Sequence, residues 1–530
     1  MSAALTLPTD LARRALAHKR LAALALGLVS ALGFEPLALW PLALLAMGGF
    51  VLLLGRVGGR REAFLLGWLF GFAHFTFGNN WIATAFTYQA EMPAVLGWAA
   101  VPLLALYLAL YPALAALGAK AVVRGDRGAG WPLAAAFAGC WIVSEWLRSW
   151  VFTGYAWNPF GVVLLSGYAR PGIAALAPWL GTYALSGLAV LLGAAAVLLL
   201  VARRLVPLGF LAALVTAGML WPGPQQTEGR LGYTLVQPDT RQEELNEPQF
   251  FEANFRKTAQ LSTPVRAGEH RLVLWPESGV PDYLLDGYPQ RFYDYTTAFG
   301  NPDLARARIG RTIGPGSLLL TGAVDLEIRN GEAAGARNAV TALDQTGAVR
   351  GRYAKAHLVP YGEYLPMRYI LQPLGLSRLV PGAIDFWPGP GPRTLDLGSW
   401  GRAGVQVCYE IVFSGQVVDR AHRPDYIFNP SNDGWFGAFG PPQHLAQARL
   451  RAIEEGLPIL RSTTTGISAV IDGHGVVRAH IGQHVAGRLD GIVPPALPPT
   501  PFAELGNWLP LGWAAALLAI AAIALRLRRR

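Results

Sequence analysis

The sequence predicts a two-part chain: a polytopic α-helical membrane domain of about eight transmembrane helices, and an α/β layered domain placed before the last of them. Three observations predict it. Apolar residues make up 52% of the 530 positions and charged ones only 15%, with a mean hydropathy of +0.32. They are unevenly spread, because residues 20–222 are nearly free of carboxylates whereas 223–505 mix short apolar runs, turns and both signs of charge. Basic residues recur in alternate connections between the long apolar runs, which is the pattern of helices that cross a bilayer repeatedly. The expected domains are therefore 1–222, about seven helices; 223–505, the layered domain; and 506–530, a last helix with a basic tail. The net charge of +10 is a reading of topology and not of nucleic-acid binding, since many of the basic residues lie between apolar runs.

The first helix is expected in Leu21 to Phe34, after Arg13, Arg14, Lys19 and Arg20. A signal peptide has similar polarity, but no clear small-x-small cleavage site precedes Phe34-Glu35-Pro36. The next run, Leu37 to Leu54, follows at once as a hairpin partner, so the first helix is expected to be retained. Further runs fall near 63–83, 94–118, 131–147, 178–202 and 205–221, and a last one at Leu509 to Leu525. Each approaches the ~20 residues a bilayer core needs. Arg56, Arg60 and Arg61 follow the second run; Lys120, Arg124 and Arg127 the fourth; Arg203 and Arg204 the sixth. The other connections hold chiefly Arg148 and Arg170. The positive-inside rule then sets both termini in the cytoplasm and 223–505 outside it. His74, Asn79, Asn80, Glu145 and Arg148 lie in or beside these runs and are expected to cap helices or pair with each other. Cys140 is expected to pack, and the aromatic stretch Trp150 to Phe160 to form an interfacial belt or amphipathic segment.

In the layered domain, strands are expected at Leu231–Gln237, Arg271–Trp275, Leu318–Leu326, Asn338–Leu343, Ala348–Tyr353 and Gly404–Val407. Tyr426–Phe428 adds another, and Ile467–Ile471 and Val476–Ile481 form a hairpin around Asp472-Gly473-His474-Gly475. Helices are expected at Gln242–Ser262 and Pro441–Glu455. Strands alternating with helices argue a layered α/β domain.

Three chemically complementary groups stand at strand ends: Glu277, Lys355 and Cys408. The chain has only two cysteines, so no disulfide framework is expected, and a free cysteine is often just a small buried apolar group. A thiol of pKa ~8.5 is mostly protonated at neutral pH and needs a base or a cation beside it to attack. Glu277 can take that proton, and Lys355 can steady a thiolate and then a tetrahedral oxyanion. No Cys/His cluster with metal spacing and no glycine-rich phosphate loop is present, so neither metal nor cofactor is expected.

Trp275-Pro-Glu-Ser278, Lys355-Ala-His-Leu-Val-Pro-Tyr-Gly-Glu363 and Val407-Cys-Tyr-Glu410 resemble the carbon–nitrogen hydrolase (nitrilase) superfamily. The membrane runs narrow the resemblance to the apolipoprotein N-acyltransferase family. Ser431–Gly437, Gln443-His444 and Arg461–Ile467 are similar to that family too. The resemblance covers nearly the whole chain. It implies a Glu277–Lys355–Cys408 triad with Glu363, Tyr409 and Glu410 as supporting positions. It also implies a nitrilase-like αββα sandwich on the periplasmic face of a bacterial inner membrane. The implied reaction moves an acyl chain from the sn-1 position of a phospholipid to Cys408 as a thioester. The chain then passes to the α-amine of an S-diacylglyceryl cysteine at a lipoprotein N-terminus. A phospholipid donor, a diacylglyceryl apolipoprotein acceptor and a monomeric enzyme are expected. The apolar segment Tyr364 to Trp387, with Tyr369, Ile370, Leu371, Leu374, Leu376 and Phe386, is expected to be a lid or lipid-facing arm. A membrane-tethered amidase that passes the thioester to water is the alternative enzyme. A transporter or receptor with a degenerate nitrilase-like sensor is the non-enzymatic one, and the complete triad argues against it.

Overall fold

The computed structural model describes residues 18–88, 93–123, 130–374 and 384–527. Arg13, Arg14, Arg124, Arg127, Leu376 and Arg528 to Arg530, which entered the expectations above, lie outside the described residues. The chain forms two compact units, one of residues 1–80, 98–223 and 499–530, the other of 81–97 and 224–498.

The first unit is helical. Its named elements are α1 (Lys19–Ala31), α2 (Trp40–Gly55), α3 (Arg60–Gly78), α4 (Leu96–Leu108), α5 (Leu110–Val122), α6 (Trp131–Arg148), α7 (Ala177–Val201) and α8 (Leu205–Leu220). A helix therefore forms on each of the first seven apolar runs, α4 and α5 sharing one of them. Length separates them. Among the described residues, three helical stretches are long and apolar enough to cross a membrane: Leu96–Val122, Gly172–Val201 and Trp508–Leu527. At 1.5 Å per residue the 13 residues of α1 reach only ~20 Å, short of a ~30 Å hydrocarbon core. Arg60, Arg61 and Glu62 in α3, and Glu145 and Arg148 in α6, make those helices more polar. Among the described residues, three of the expected eight transmembrane helices thus meet the length and composition of a membrane span.

Helix contacts in this unit rest on small residues. Gly48 of α2 and Gly193 of α7 face each other so closely that a Cβ on either would strike the other helix's backbone. Cys140 packs beside Gly118, joining α6 to α5. The buried polar groups find local partners. Ser30 Oγ lies 2.7 Å from His74 Nδ1, and Tyr155 donates to Asn79 at 2.7 Å. Glu145 accepts from Trp141 Nε1 at 2.9 Å and from the Phe160 N–H at 2.7 Å, and Arg148 donates to the Trp157 carbonyl at 2.8 Å. The aromatic stretch accordingly divides, and is not one interfacial belt. Trp150 and Phe152 are exposed, whereas Trp157 and Phe160 are buried where Arg148 and Glu145 hold the chain.

The second unit contains two six-stranded sheets. In chain order its elements are β1 (Gly232–Gln237), α9 (Pro248–Ser262), β2 (Arg271–Leu274), α10 (Pro302–Ile313), β3 (Ser317–Arg329), β4 (Glu332–Asp344), β5 (Val349–Ala354), β6 (Thr394–Asp396), β7 (Arg402–Val405), β8 (Tyr426–Ser431), α11 (Gly440–Glu455), β9 (Ile459–Thr463), β10 (Ser468–Ile471), β11 (Val477–Ile481) and β12 (Gly487–Ile492). The helix α12 (Trp508–Leu527) returns to the first unit. The strand orders are β12-β1-β2-β3-β4-β5 and β11-β10-β9-β8-β7-β6. Each sheet has three parallel strands at its centre, β1-β2-β3 and β7-β8-β9, flanked by antiparallel ones. The sheets meet face to face: Ser462 Oγ donates to the Val236 carbonyl at 2.7 Å and Thr463 Oγ1 to Gln237 Oε1 at 2.9 Å.

Helices cover the outer faces. Phe255 of α9 and Ile309 and Ile313 of α10 pack on Val273, Trp275 and Leu319 of the first sheet. Arg271, fully buried in β2, ties this layer down. It donates to the carbonyls of Ser262 at 2.6 Å and Ile313 at 3.2 Å, the last residues of α9 and α10. One cation thus meets two helix C-termini, where positive charge is favoured. α11 covers the second sheet and is buried along most of its length despite its polar sequence. Its charges are satisfied internally: Arg451 pairs with Glu454 at 2.6 Å, and Arg449 donates to the Gly475 carbonyl at 2.8 Å.

Several element boundaries differ from expectation, β4 for one beginning at Glu332 and not at Asn338. The helix expected from Gln242 starts at Pro248, because proline is favoured in a first turn and excluded from a helix interior. Residues 81–97 cluster with the α/β unit, where Trp81 packs edge-on to Phe436 at 4.7 Å and Tyr88 to Trp435 at 5.8 Å.

Candidate active site

The site lies where strands of both sheets end. β7 continues its ladder one residue past Val405, since the Gln406 N–H donates to the Phe428 carbonyl at 2.9 Å. The chain then turns sharply into a 3₁₀ turn, Cys408–Val412. Cys408 has φ +51°, the left-handed region that costs a non-glycine residue ~1–2 kcal/mol. Only 5% of it is exposed. Glu410 holds this elbow. Its Oε2 accepts from the Val407 N–H at 2.7 Å. Its Oε1 accepts from Tyr353 OH at 2.8 Å and from the N–H groups of Ala356 and His357 at 2.8 and 3.1 Å. One carboxylate therefore ties the nucleophile turn to the segment that carries Lys355. Tyr409 packs its ring against Phe413 at 5.0 Å.

Lys355 directly follows β5, and its N–H donates to the Asn338 carbonyl at 2.8 Å. Its ammonium lies 3.0 Å from Glu363 Oε1 and 3.5 Å from Glu277 Oε1 and is almost wholly buried. Glu277 follows β2 by three residues. Its Oε1 accepts from Asn338 Nδ2 at 2.6 Å and its Oε2 from the Asn432 N–H at 2.7 Å. Asn338 also reaches Glu363 Oε1 at 2.9 Å, so one amide fixes both carboxylates. Glu363 Oε2 takes the Val359 N–H at 2.8 Å.

Two carboxylates and one ammonium leave this cluster net negative, and the thiol responds. Burial, followed by the charge of Glu277, pushes the Cys408 thiol above its usual range, against the opposing pull of Lys355. Burial works against the charge on Lys355, yet Glu363 and Glu277 outweigh it and hold the ammonium. The resting pair is thiol and ammonium. Lys355 alone does not ionise Cys408, so a base has to take the proton as attack begins.

A second polar cluster lies on the other side of Cys408. Asp433 accepts from Arg461 Nη2 at 2.9 and 2.7 Å and from Ser431 Oγ at 2.7 Å. His444 Nδ1 lies 3.0 Å from both Asp433 Oδ1 and Arg461 Nη2, and its Nε2 lies 3.1 Å from the Cys408 carbonyl oxygen. Burial disfavours the charge on Asp433, but Arg461 outweighs it and holds the carboxyl well below the usual range. Burial and then Arg461 lower His444, leaving a neutral imidazole.

Cys408, Asp433 and His444 bring ligand atoms within 4.8 Å of one another, a spacing able to meet a metal ion. The donor set does not fit one. Arg461 already supplies a buried cation against Asp433, and its guanidinium sits on the same imidazole nitrogen. A divalent ion held by that carboxylate and imidazole would sit beside a buried guanidinium in low-dielectric protein.

All six sequence-predicted site residues meet around this elbow. Asn338 was missed, although an amide beginning an otherwise apolar strand segment is the signal that marks it. Asn432, His444 and Arg461 lay in motifs that resemblance singled out without giving them roles.

Residues 26–195 match the model of the apolipoprotein N-acyltransferase N-terminal domain, and 235–489 that of the carbon–nitrogen hydrolase domain. A protein of Rhodopseudomonas palustris named apolipoprotein N-acyltransferase is 34% identical, over 96% of this chain and 95% of its own. The chain belongs to the apolipoprotein N-acyltransferase family. A relative of the same name from Bradyrhizobium diazoefficiens is 33% identical over 97% of this chain and 95% of its own. Among solved structures, an amidase from Nesterenkonia sp. aligns with 51% of this chain and 93% of its own, at 18% identity and a TM-score of 0.31. The chain is an enzyme of the carbon–nitrogen hydrolase superfamily and, with its apolar helices, a bacterial membrane protein.

Proposed function

We propose that this chain transfers an acyl group from the sn-1 position of a phospholipid to the α-amine of a lipoprotein's S-diacylglyceryl cysteine, through a thioester on Cys408. The observation that carries the reading is the meeting of Glu277 and Lys355 at 3.5 Å beside a buried thiol held in a strained elbow. Glu277 takes the thiol proton while sulfur attacks the ester carbonyl. Lys355 steadies the oxyanion. The intermediate collapses, the glycerol oxygen leaves with the proton from Glu277, and a lysophospholipid departs. The neutral α-amine then attacks the thioester. Glu277 accepts its proton and returns it to the departing sulfur, leaving an amide and a free thiol. Glu363 and Asn338 hold the base and the ammonium, and Glu410 and Tyr409 hold the elbow.

In this reading eight helices cross the inner membrane, with 1–222 and 506–530 in the bilayer and its borders. Residues 223–505 are periplasmic, both termini are cytoplasmic, and the enzyme works as a monomer. The charges that alternate along the sequence support the topology. Both substrates carry acyl chains, and moving each CH₂ into water costs ~0.8 kcal/mol, so a site at the bilayer surface avoids most of that cost. Met367, Tyr369 and Ile370 are 53%, 80% and 47% exposed, which supports a lipid-facing arm at 364–387.

The test is intact-protein mass spectrometry after incubation with a phospholipid and no acceptor. A mass gain of one acyl chain is expected, removed by hydroxylamine and absent in Cys408→Ala. A diacylglyceryl peptide added next should take up the chain on its amine. No adduct on folded protein rejects the mechanism. An adduct released only to water identifies an amidase instead.

A further inference from the structure

The imidazole of His444 lies far from Glu277 and Lys355 in sequence, and the acyl transfer above does not use it. Its surroundings are nonetheless specified at every edge. His444 is fully buried near the start of α11. Burial and Arg461 keep it neutral, so the ring carries one proton. The position of that proton follows from its neighbours. Nε2 faces the Cys408 carbonyl oxygen at 3.1 Å, and an oxygen can only accept. Nδ1 lies 3.0 Å from Asp433 Oδ1, which can only accept, and 3.0 Å from Arg461 Nη2, which can only donate, so a donor is offered at the Nδ1 edge and none by the carbonyl at Nε2. The proton is therefore on Nε2, donated to the carbonyl of the nucleophile itself. Asp433, held ionised by Arg461, touches both the guanidinium and Nδ1 and so fixes the orientation of the ring. On the ring's face, Phe436 packs edge-on at 5.7 Å, and Trp81 in turn packs on Phe436 at 4.7 Å.

We propose that His444 is a positioning residue for Cys408: its Nε2–H fixes the Cys408 carbonyl and so holds the left-handed elbow that aims the thiol. The left-handed conformation at Cys408 persists only if its surroundings over-determine it. Glu410 fixes the chain before Cys408, through the N–H of the Gln406–Val407 peptide, and His444 fixes the peptide after it, through the Cys408 carbonyl. The two bonds bracket the strained residue. Trp81 and Phe436 brace the imidazole, so Trp81 supports the nucleophile through two ring contacts.

The proposal rests on Cys408 as the nucleophile but not on the identity of the acyl donor. In His444→Leu no donor remains, and a shift of about 1 Å in the reacting sulfur lowers the rate on the order of 10²-fold. We expect that loss in single-turnover thioester formation, with the donor KM unchanged. His444→Gln, whose amide can donate to the same carbonyl, should recover most of it. Cys408 alkylation by iodoacetamide should follow the same order, which separates this proposal from the choice of acyl donor. Folded His444→Leu acylating at the unmodified rate, or folded Gln and Leu variants equally impaired, overturns it. Should the variants not fold, the unmodified enzyme decides. In ¹⁵N-histidine-labelled protein, one buried neutral Nε2–H signal should be present at pH 8 and shift when Cys408 is alkylated. No signal of that kind overturns the proposal.

Discussion

The two polar clusters that flank Cys408 are built from similar residues and behave differently. On the side of the first sheet, Glu277, Glu363 and Lys355 carry a net negative charge, and Glu277 and Lys355 adjoin the thiol. On the side of the second sheet, Asp433 and Arg461 cancel, His444 is neutral, and its imidazole meets the backbone of the nucleophile. The first cluster is unbalanced and can exchange a proton. The second is balanced and can only hold. A buried charge that is to do chemistry has to be left partly unsatisfied, whereas a buried charge that is to hold geometry must be satisfied fully.

The largest expected effect is on the unbalanced side. Glu277→Gln keeps the shape and an acceptor for Asn338 but removes the base, and thioester formation should fall on the order of 10³-fold. Stopped-flow acylation with a fluorescent phospholipid measures it. A fall no larger than that of His444→Leu would erase the division between the clusters. Next is Lys355→Met. Loss of one oxyanion donor costs ~3 kcal/mol, roughly 10²-fold in rate, and also leaves Glu277 and Glu363 uncompensated. The double variant Lys355→Met/Glu363→Gln should therefore recover thermal stability but not rate, read by melting and acylation on the same sample.

The smallest effect concerns Glu410, which ties the two sides together. Burial pushes its carboxyl up to about 7. A protonated carboxyl cannot accept on both oxygens as fully, so the clamp is complete only above that pH. Acylation should gain several-fold as pH rises through about 7, and Glu410→Gln should remove that step. Stability runs the other way. The folded value lies above the unfolded ~4.3, so the stability contributed by this group is full below ~4.3 and lost as pH rises through about 7. Opposite slopes for melting temperature and rate would sharpen the assignment, and parallel slopes would remove it.

Much of this was legible in the sequence because it rests on local pattern. Trp275-Pro-Glu, the segment after β5 and Val407-Cys-Tyr-Glu each place a chemical group just past an apolar strand, and those strands formed at the expected positions. What was hidden depends on partners distant in sequence. α11 reads as an exposed polar helix, yet its arginines and glutamates are buried against each other and against loop carbonyls. β9 carries Arg461 inside a buried strand, where periodicity alone gives no reason for a cation until Asp433 stands beside it. β12 is an edge strand with alternating Arg488 and Asp490, too polar to stand out from a loop. Of the expected membrane helices, three are long and apolar enough to span among the described residues. Apolar composition fixed where helices form, but it did not fix their length or how polar groups within them would be met.

The backbone of Cys408 has one further consequence. At φ +51° glycine would be the more comfortable residue, and any replacement of cysteine that relaxed the turn would make the domain easier to fold. Pressure for robustness and pressure for turnover thus pull this single position in opposite directions. Drift toward a sturdier protein would erode the nucleophile first, and only continued demand for the reaction keeps it in place.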